Sequence, residues 1–279
     1  MKTPLILAIA IGFAASLHAQ TVNLVVVSKS HEYDQSGWSA PTEQTNPWAA
    51  GIYVFGSGLT GSNPISSVSF SGSGAVGTGS LSFESDHWEA EATFSDQTSL
   101  QTAFGDTGYT LTLGSYTTPS LDLDSTKYPN VLQWSLSSGS ANWVGGKLHV
   151  DPTQTLVLTS NTFTTNFMTN ATRVGWEISG NSYSDDNDDR LGNSASITIA
   201  AGSLVSGSTY DLYAEFNRFT GSTTLSSTGV TGLNGADYAT LMGSGTSLQI
   251  YAVPEPSTYA LIAGALVLMG AVWRRRRQD

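Results

Sequence analysis

Apolar residues recur at every second position in short runs of this chain, and that period restricts the fold more than any other feature. In Lys147-Leu148-His149-Val150, Leu148 and Val150 share one side while Lys147 and His149 share the other. Leu156 and Leu158 alternate with Thr155 and Thr159, and Val174, Trp176 and Ile178 follow the same parity, as do Tyr210, Leu212 and Phe216. Successive side chains of a strand point to opposite faces, so this pattern reads as strands with one buried face; an amphipathic helix would repeat near 3.6 residues. Strand signals of this kind cover 22–27, 51–55, 67–70, 80–83, 89–94, 109–113, 131–136, 147–150, 155–159, 173–178, 196–199, 210–216 and 247–253. Gly, Ser, Asn and Asp fill the gaps, as turns require. No segment between the two ends of the chain sustains a helical period. The expectation is an all-β body of one or two antiparallel β-sandwich domains. Thr117-Thr118-Pro119 supplies a plausible boundary, dividing the body into 20–118 and 119–252.

The two ends are of a different kind. Lys2, an apolar run from Pro4 to Leu17 and then His18-Ala19-Gln20 have the order of a secretory signal peptide, which sets 1–19 aside from the fold. At the other end Val253-Pro254-Glu255-Pro256-Ser257 leads into Tyr259–Trp273, a stretch without charge, and then into Arg274, Arg275, Arg276 and Arg277. As a helix, 259–273 would span roughly 22 Å, against about 30 Å for a hydrocarbon core. Ser257 and Thr258 can lengthen it, Tyr259 and Trp273 suit the interfaces, and arginine side chains reach outward to the headgroups. The arginines belong on the cytoplasmic side, which leaves the body outside.

These three parts, in this order, resemble the PEP-CTERM sorting domain over residues 253–279. The resemblance implies recognition by exosortase, a membrane-embedded cysteine transpeptidase, with cutting near Pro254-Glu255-Pro256. It also implies export by a Gram-negative bacterium that makes exopolysaccharide, with 259–273 as a transient inner-membrane anchor before release to the cell surface or extracellular matrix. Permanent anchorage is the alternative.

Charge narrows the partners. Setting aside Lys2, the four terminal arginines, Glu255 and Asp279 leaves 6 basic and 20 acidic residues, a net charge near −14. An acidic body is a poor match for nucleic acid or anionic lipid. The chain has no cysteine, so neither a disulfide nor a thiolate site exists.

Candidate chemistry is sparse. Gly56-Ser57-Gly58-Leu59-Thr60-Gly61 and Gly72-Ser73-Gly74-Ala75-Val76-Gly77 satisfy G-x-G-x-x-G, but no helix follows to receive a pyrophosphate, so both read as turns. Asp185, Asp186, Asp188 and Asp189 form the densest charge cluster. It reads as a solvated loop or as a calcium site outside the EF-hand pattern, because Arg190 occupies the required glycine and Ser196 the glutamate position. His31, His87 and His149 are separate, and Glu89 and Glu91 share one strand face about 7 Å apart. No G-x-S-x-G elbow occurs. Tyr213, Phe219 and Tyr251 fall on the polar side of their strands, where aromatic rings can stack on sugars. The expectation is a non-enzymatic structural or adhesive body without a cofactor, calcium being the one candidate. The alternatives are a carbohydrate-binding module retaining exopolysaccharide and a secreted glycan-active enzyme.

Overall fold

The computed structural model describes residues 21–61, 65–163, 172–181, 183–224 and 237–254, together with 264 and 266–268. The strands are β1 (Thr21–Asp34), β2 (Thr42–Ser57), β3 (Val68–Ser71), β4 (Thr78–Ser80), β5 (Ser82–Glu84), β6 (His87–Phe94), β7 (Thr110–Leu113) and β8 (Tyr116–Thr117). They continue as β9 (Trp134–Ser138), β10 (Ala141–Val144), β11 (Lys147–Val150), β12 (Leu156–Ser160), β13 (Thr172–Gly180), β14 (Tyr183–Leu191), β15 (Ser196–Ile199), β16 (Thr209–Thr224) and β17 (Asp237–Ala252). A short helix, α1 (Gln97–Ala103), stands between β6 and β7. Each run expected to be a strand overlaps one of these. Helix α1 has no sequence-level period because it is barely two turns long; Asp96 caps it by accepting from Ser99 N at 2.8 Å.

One large sheet organises the body. Its order is β14-β13-β16-β17-β1-β2-β6-β5, with β11 also paired to β17 and β10 to β11. Smaller sheets run β4-β3-β7-β8 and β15-β12-β9. Most pairings are antiparallel, but β17 runs parallel to both β1 and β11. On one side β17 is bonded to β16 from Asp237 to Tyr251. On the other it is bonded to β1 as far as Ser247, and then to β11 from Ile250 to Ala252. Strand β17 is therefore clamped on both edges.

Two cores lie against this sheet. In the first, Val25, Val27, Ile52 and Val54 meet Phe70, Leu111 and Leu113 of the four-stranded sheet and Leu100 of α1. In the second, Ile178, Leu212, Phe216 and Ile250 meet Trp134, Leu158 and Ile197 of the three-stranded sheet. Met242 belongs to the first core while Leu248 and Ile250 belong to the second, all at even positions of β17, so both cores occupy the same face. Trp176 is buried in the second core, as its parity requires.

The first core is drawn from residues up to Leu123 together with Met242 of β17, and the second from Leu132 onward. The halves nevertheless share a sheet, because β1 is hydrogen-bonded to β17. A second tie is Gln35, whose side chain donates to Trp134 O and accepts from Trp134 N, each at 2.8 Å.

The acidic run 183–191 differs from the expected loop. It is strand β14, paired with β13 through Ile178↔Asp185 and Glu177↔Asp186, at the edge of the large sheet. Charged side chains on an edge strand discourage pairing with a second chain, which gives the run a physical reason without a ligand.

Candidate functional site

The sorting tail starts where the sheet stops. Ala252 is the last residue of β17; Val253 N donates to Val150 O at 2.8 Å, and no strand includes Val253 or Pro254. Glu255, Pro256, Ser257 and Arg274–Arg277 lie outside the described residues, as do residues 1–19, the expected signal peptide. Within 259–273, Gly264 and Leu266–Leu268 are helical, and Leu266, Val267 and Leu268 are exposed. Among the described residues no helix is long and apolar enough to cross a membrane.

The other expected sites separate. Asp185 and Asp186 are adjacent on β14 and so project to opposite faces, which no shared ion tolerates readily. The side chains of Asp188 and Asp189 lie outside the described residues. Among those described, no three His, Asp or Glu side chains group as metal ligands. Tyr213 is buried, its hydroxyl between Glu32 and Glu215, so its ring is not presented to a sugar. Phe219 packs, half-buried, against Leu24, Val26, Tyr53 and Leu241. Tyr251 is half-buried, with its ring centroid 4.8 Å from that of His149.

The histidines are each occupied separately. His31 stacks on Trp48 at 3.6 Å, meets the Tyr33 hydroxyl at 2.7 Å and lies 3.0 Å from Glu43 Oε1. Burial pushes its pKa down against the pull of Glu43. His87 lies between Asp86 and Glu89; burial opposes its charge, but the two carboxylates win and raise its pKa.

The residues that sequence reasoning passed over lie on the face of the large sheet turned away from the two cores. Glu32, Glu215 and Asn217 are 2%, 1% and 0% exposed. The Tyr213 hydroxyl is 3.2 Å from both Glu32 Oε2 and Glu215 Oε2, and Asn217 Nδ2 donates to Glu215 Oε1. Nearby, Tyr53 donates to Glu91 Oε1 at 2.5 Å. Burial is the main cause that raises the Tyr53 hydroxyl, and the charges of Glu91, Glu89 and Glu215 add to it. Burial likewise pushes Glu32 up to about 7 and the Tyr213 hydroxyl well above its ordinary value. The sequence carries no distinct signal for this cluster, because Glu32 lies in Ser28–Asp34, the polar half of β1.

A family model described as the PEP-CTERM protein-sorting motif matches residues 252–277. No curated protein sequence matches the chain. Among solved structures, the human OSCAR ligand-binding domain aligns over 80% of this chain and 97% of its own, at 10% identity and a TM-score of 0.21. A Salmonella alpha-2-macroglobulin aligns over 86% of this chain and 15% of its own, at 9% identity and a TM-score of 0.23. For trypsin-activated alpha-2-macroglobulin from Escherichia coli the values are 88%, 16%, 7% and 0.22. The chain thus spans about a sixth of each macroglobulin, and likeness at these scores carries no weight for fold or function.

Proposed function

From a chain that carries a PEP-CTERM sorting motif at residues 252–277, we propose an exported surface or matrix protein of a Gram-negative bacterium, processed by exosortase, whose β-rich body is structural or adhesive and not enzymatic. The motif's position carries this reading. A transpeptidase needs backbone free of a sheet, and Pro254 has no N–H to give to a ladder. Cutting near Pro254-Glu255-Pro256 would release a body whose last strand is already bonded on both edges. The membrane segment then acts as a transient anchor.

Replacing Pro254, Glu255 and Pro256 with alanine is expected to leave an uncleaved, membrane-retained form in a host with exosortase, seen as a larger band in the membrane fraction. Normal processing and release of that variant would overturn the proposal. Fusing 253–279 to an unrelated exported protein separates sorting from any property of the body.

A second reading, carbohydrate binding, has one observation in its favour. Trp38 is 41% exposed and meets Trp143 edge to face at 5.6 Å, and Val144 beside it is also exposed. An exposed ring held by a second ring suits stacking on a sugar face. Pull-down on neutral and acidic polysaccharides should then retain the wild-type chain and lose about tenfold in affinity for Trp38→Ala, a loss of one stacking contact. Absence of binding across both classes removes this reading.

A further inference from the structure

Strand β17 ends beside a loop that holds an apolar side chain in the open. Residues 200–208, between β15 and β16, meet the root of the tail through two backbone bonds: Gly207 N donates to Ala252 O at 2.7 Å, and Ala252 N to Ser208 O at 3.0 Å. The same loop is joined to its neighbours by Gly202 N, which donates to Pro152 O at 2.7 Å, and by Ser208 Oγ, which accepts from Asn181 Nδ2 at 2.8 Å. These bonds gather loop 200–208, the turn after β11 and the turn after β13 at the end of the body from which the tail leaves.

Within the loop, adjacent side chains part. Leu204 is buried in the second core, while Val205 is 44% exposed. Val205 N donates to the Tyr210 hydroxyl at 2.7 Å, and Val205 O accepts from Ser208 N at 3.1 Å. Tyr210 is fully buried, so the valine's backbone is braced from the core. Ala200, Ala201 and Gly202 are exposed in the same loop. No charged residue occurs from Leu191 to Tyr210, in a body whose net charge is near −14. In the adjoining turn the Asp151 carboxylate accepts from Thr153 N, Thr153 Oγ1 and Gln154 Nε2, all within that turn.

The chain between this end and the membrane segment is short. Val253–Thr258 is six residues and reaches about 20 Å at full extension, after which the uncharged stretch 259–273 begins. While the tail is anchored, the end of the body carrying loop 200–208 is therefore held within about that distance of the headgroups. An acidic body gains nothing there through charge. An uncharged loop with a protruding valine gains by removing apolar area from water.

We infer that loop 200–208, through Val205, rests on the lipid surface while the chain is anchored, and so sets which end of the body faces the membrane. This depends on the anchored state in the sorting reading. It would hold Pro254-Glu255-Pro256 at the bilayer surface, where the proposed processing takes place.

The chain has no cysteine, so Val205→Cys and Val76→Cys each supply a single attachment point for an environment-sensitive fluorophore. Val76 is the control: it is 38% exposed, and its N–H donates to Ala103 O of α1 at 3.0 Å, on the side of the first core. The exported form, residues 20–279, is reconstituted at low protein-to-lipid ratio in phosphatidylcholine vesicles without exosortase and recovered by flotation. On reconstitution the label at 205 should shift to shorter wavelength and lose quenching by iodide; the label at 76 should do neither. The shift should survive high salt, because no charge is used. Val205→Asp should abolish the same shift for a label on Ala201→Cys, with flotation and melting temperature unchanged. A chain that does not float with the vesicles overturns the anchored state, and this inference with it. A chain that floats while position 205 stays as polar and as quenchable as position 76 overturns this inference alone. So does a shift seen only after exosortase is added, which would assign the loop to a protein surface.

Discussion

Asp106→Ala is expected to destabilise the body by about 3 kcal/mol, read as a lower urea midpoint at unchanged slope. Lys29 enters the first core from β1 with its side chain fully buried. Its Nζ donates to Asp106 Oδ1 at 2.6 Å, to Gln101 Oε1 at 2.9 Å and to Gly105 O at 3.1 Å. Burial lowers the lysine's pKa despite the attraction of Asp106. Asp106 is partly exposed; burial works against its charge, but bonds from Lys29 and Ser125 outweigh that and hold its pKa down. Removing one member of a buried pair strands the other, which typically costs 3–5 kcal/mol. The lower end applies here because Gln101 and Gly105 still accept from the ammonium. Lys29→Met should cost less than Asp106→Ala, since it keeps the apolar stem and removes the charge that needed a partner. The reverse order would show that the pair is not what stabilises this corner.

The pH dependence of that pair follows from its direction. Asp106 has a folded pKa below its unfolded value near 3.8, so its contribution is complete above that value and is lost as pH falls through the folded pKa. The gap between wild type and Asp106→Ala should therefore stay constant from neutral pH to about 5 and close below 3.8.

Trp134→Ala should cost about 4 kcal/mol, and Gln35→Ala about 2–3 kcal/mol, for two different reasons acting at one place. Trp134 is the largest fully buried side chain among the described residues, so its truncation leaves a cavity in the second core. Gln35 fills no comparable volume. It satisfies both backbone groups of Trp134 with one amide, and also donates to Gly37 O at 3.0 Å. Without it a buried N–H and a buried C=O lose their partners, each worth about 1–3 kcal/mol. The double variant should fall short of the sum, because the two residues form one contact. A Gln35→Ala protein within about 0.5 kcal/mol of wild type would mean that water or backbone movement replaces the amide. Its loss would also loosen the tie between the halves, since Gln35 follows β1 and Trp134 opens β9.

Sequence reasoning reached the strands more readily than the site, and particular residues show why. Val174, Trp176 and Ile178 alternate, and they are buried together. Tyr213 also obeyed its parity, lying on the face opposite Leu212 and Ala214, but that face is itself covered there. Parity separates the two sides of a strand; it does not say which side meets water. Gly243-Ser244-Gly245 has the composition of a turn, yet it sits inside a sixteen-residue strand where glycine makes room for Glu32, Tyr213 and Asn217. Asp185–Asp189 looked like a loop for the same reason, and pairing with β13 made it an edge strand.

The sequence by itself determined the β-rich class, the approximate position of each expected strand and the sorting motif at 252–277, because alternation and a linear tail motif are local properties. The tertiary structure alone decided that β1 pairs in parallel with β17, more than 200 residues away, and that one sheet backs both cores. It also decided that Glu32, Glu215 and Asn217 share a buried face. Those outcomes depend on which strands become neighbours, and hydrogen bonds between backbones carry no residue code that a single chain segment could display.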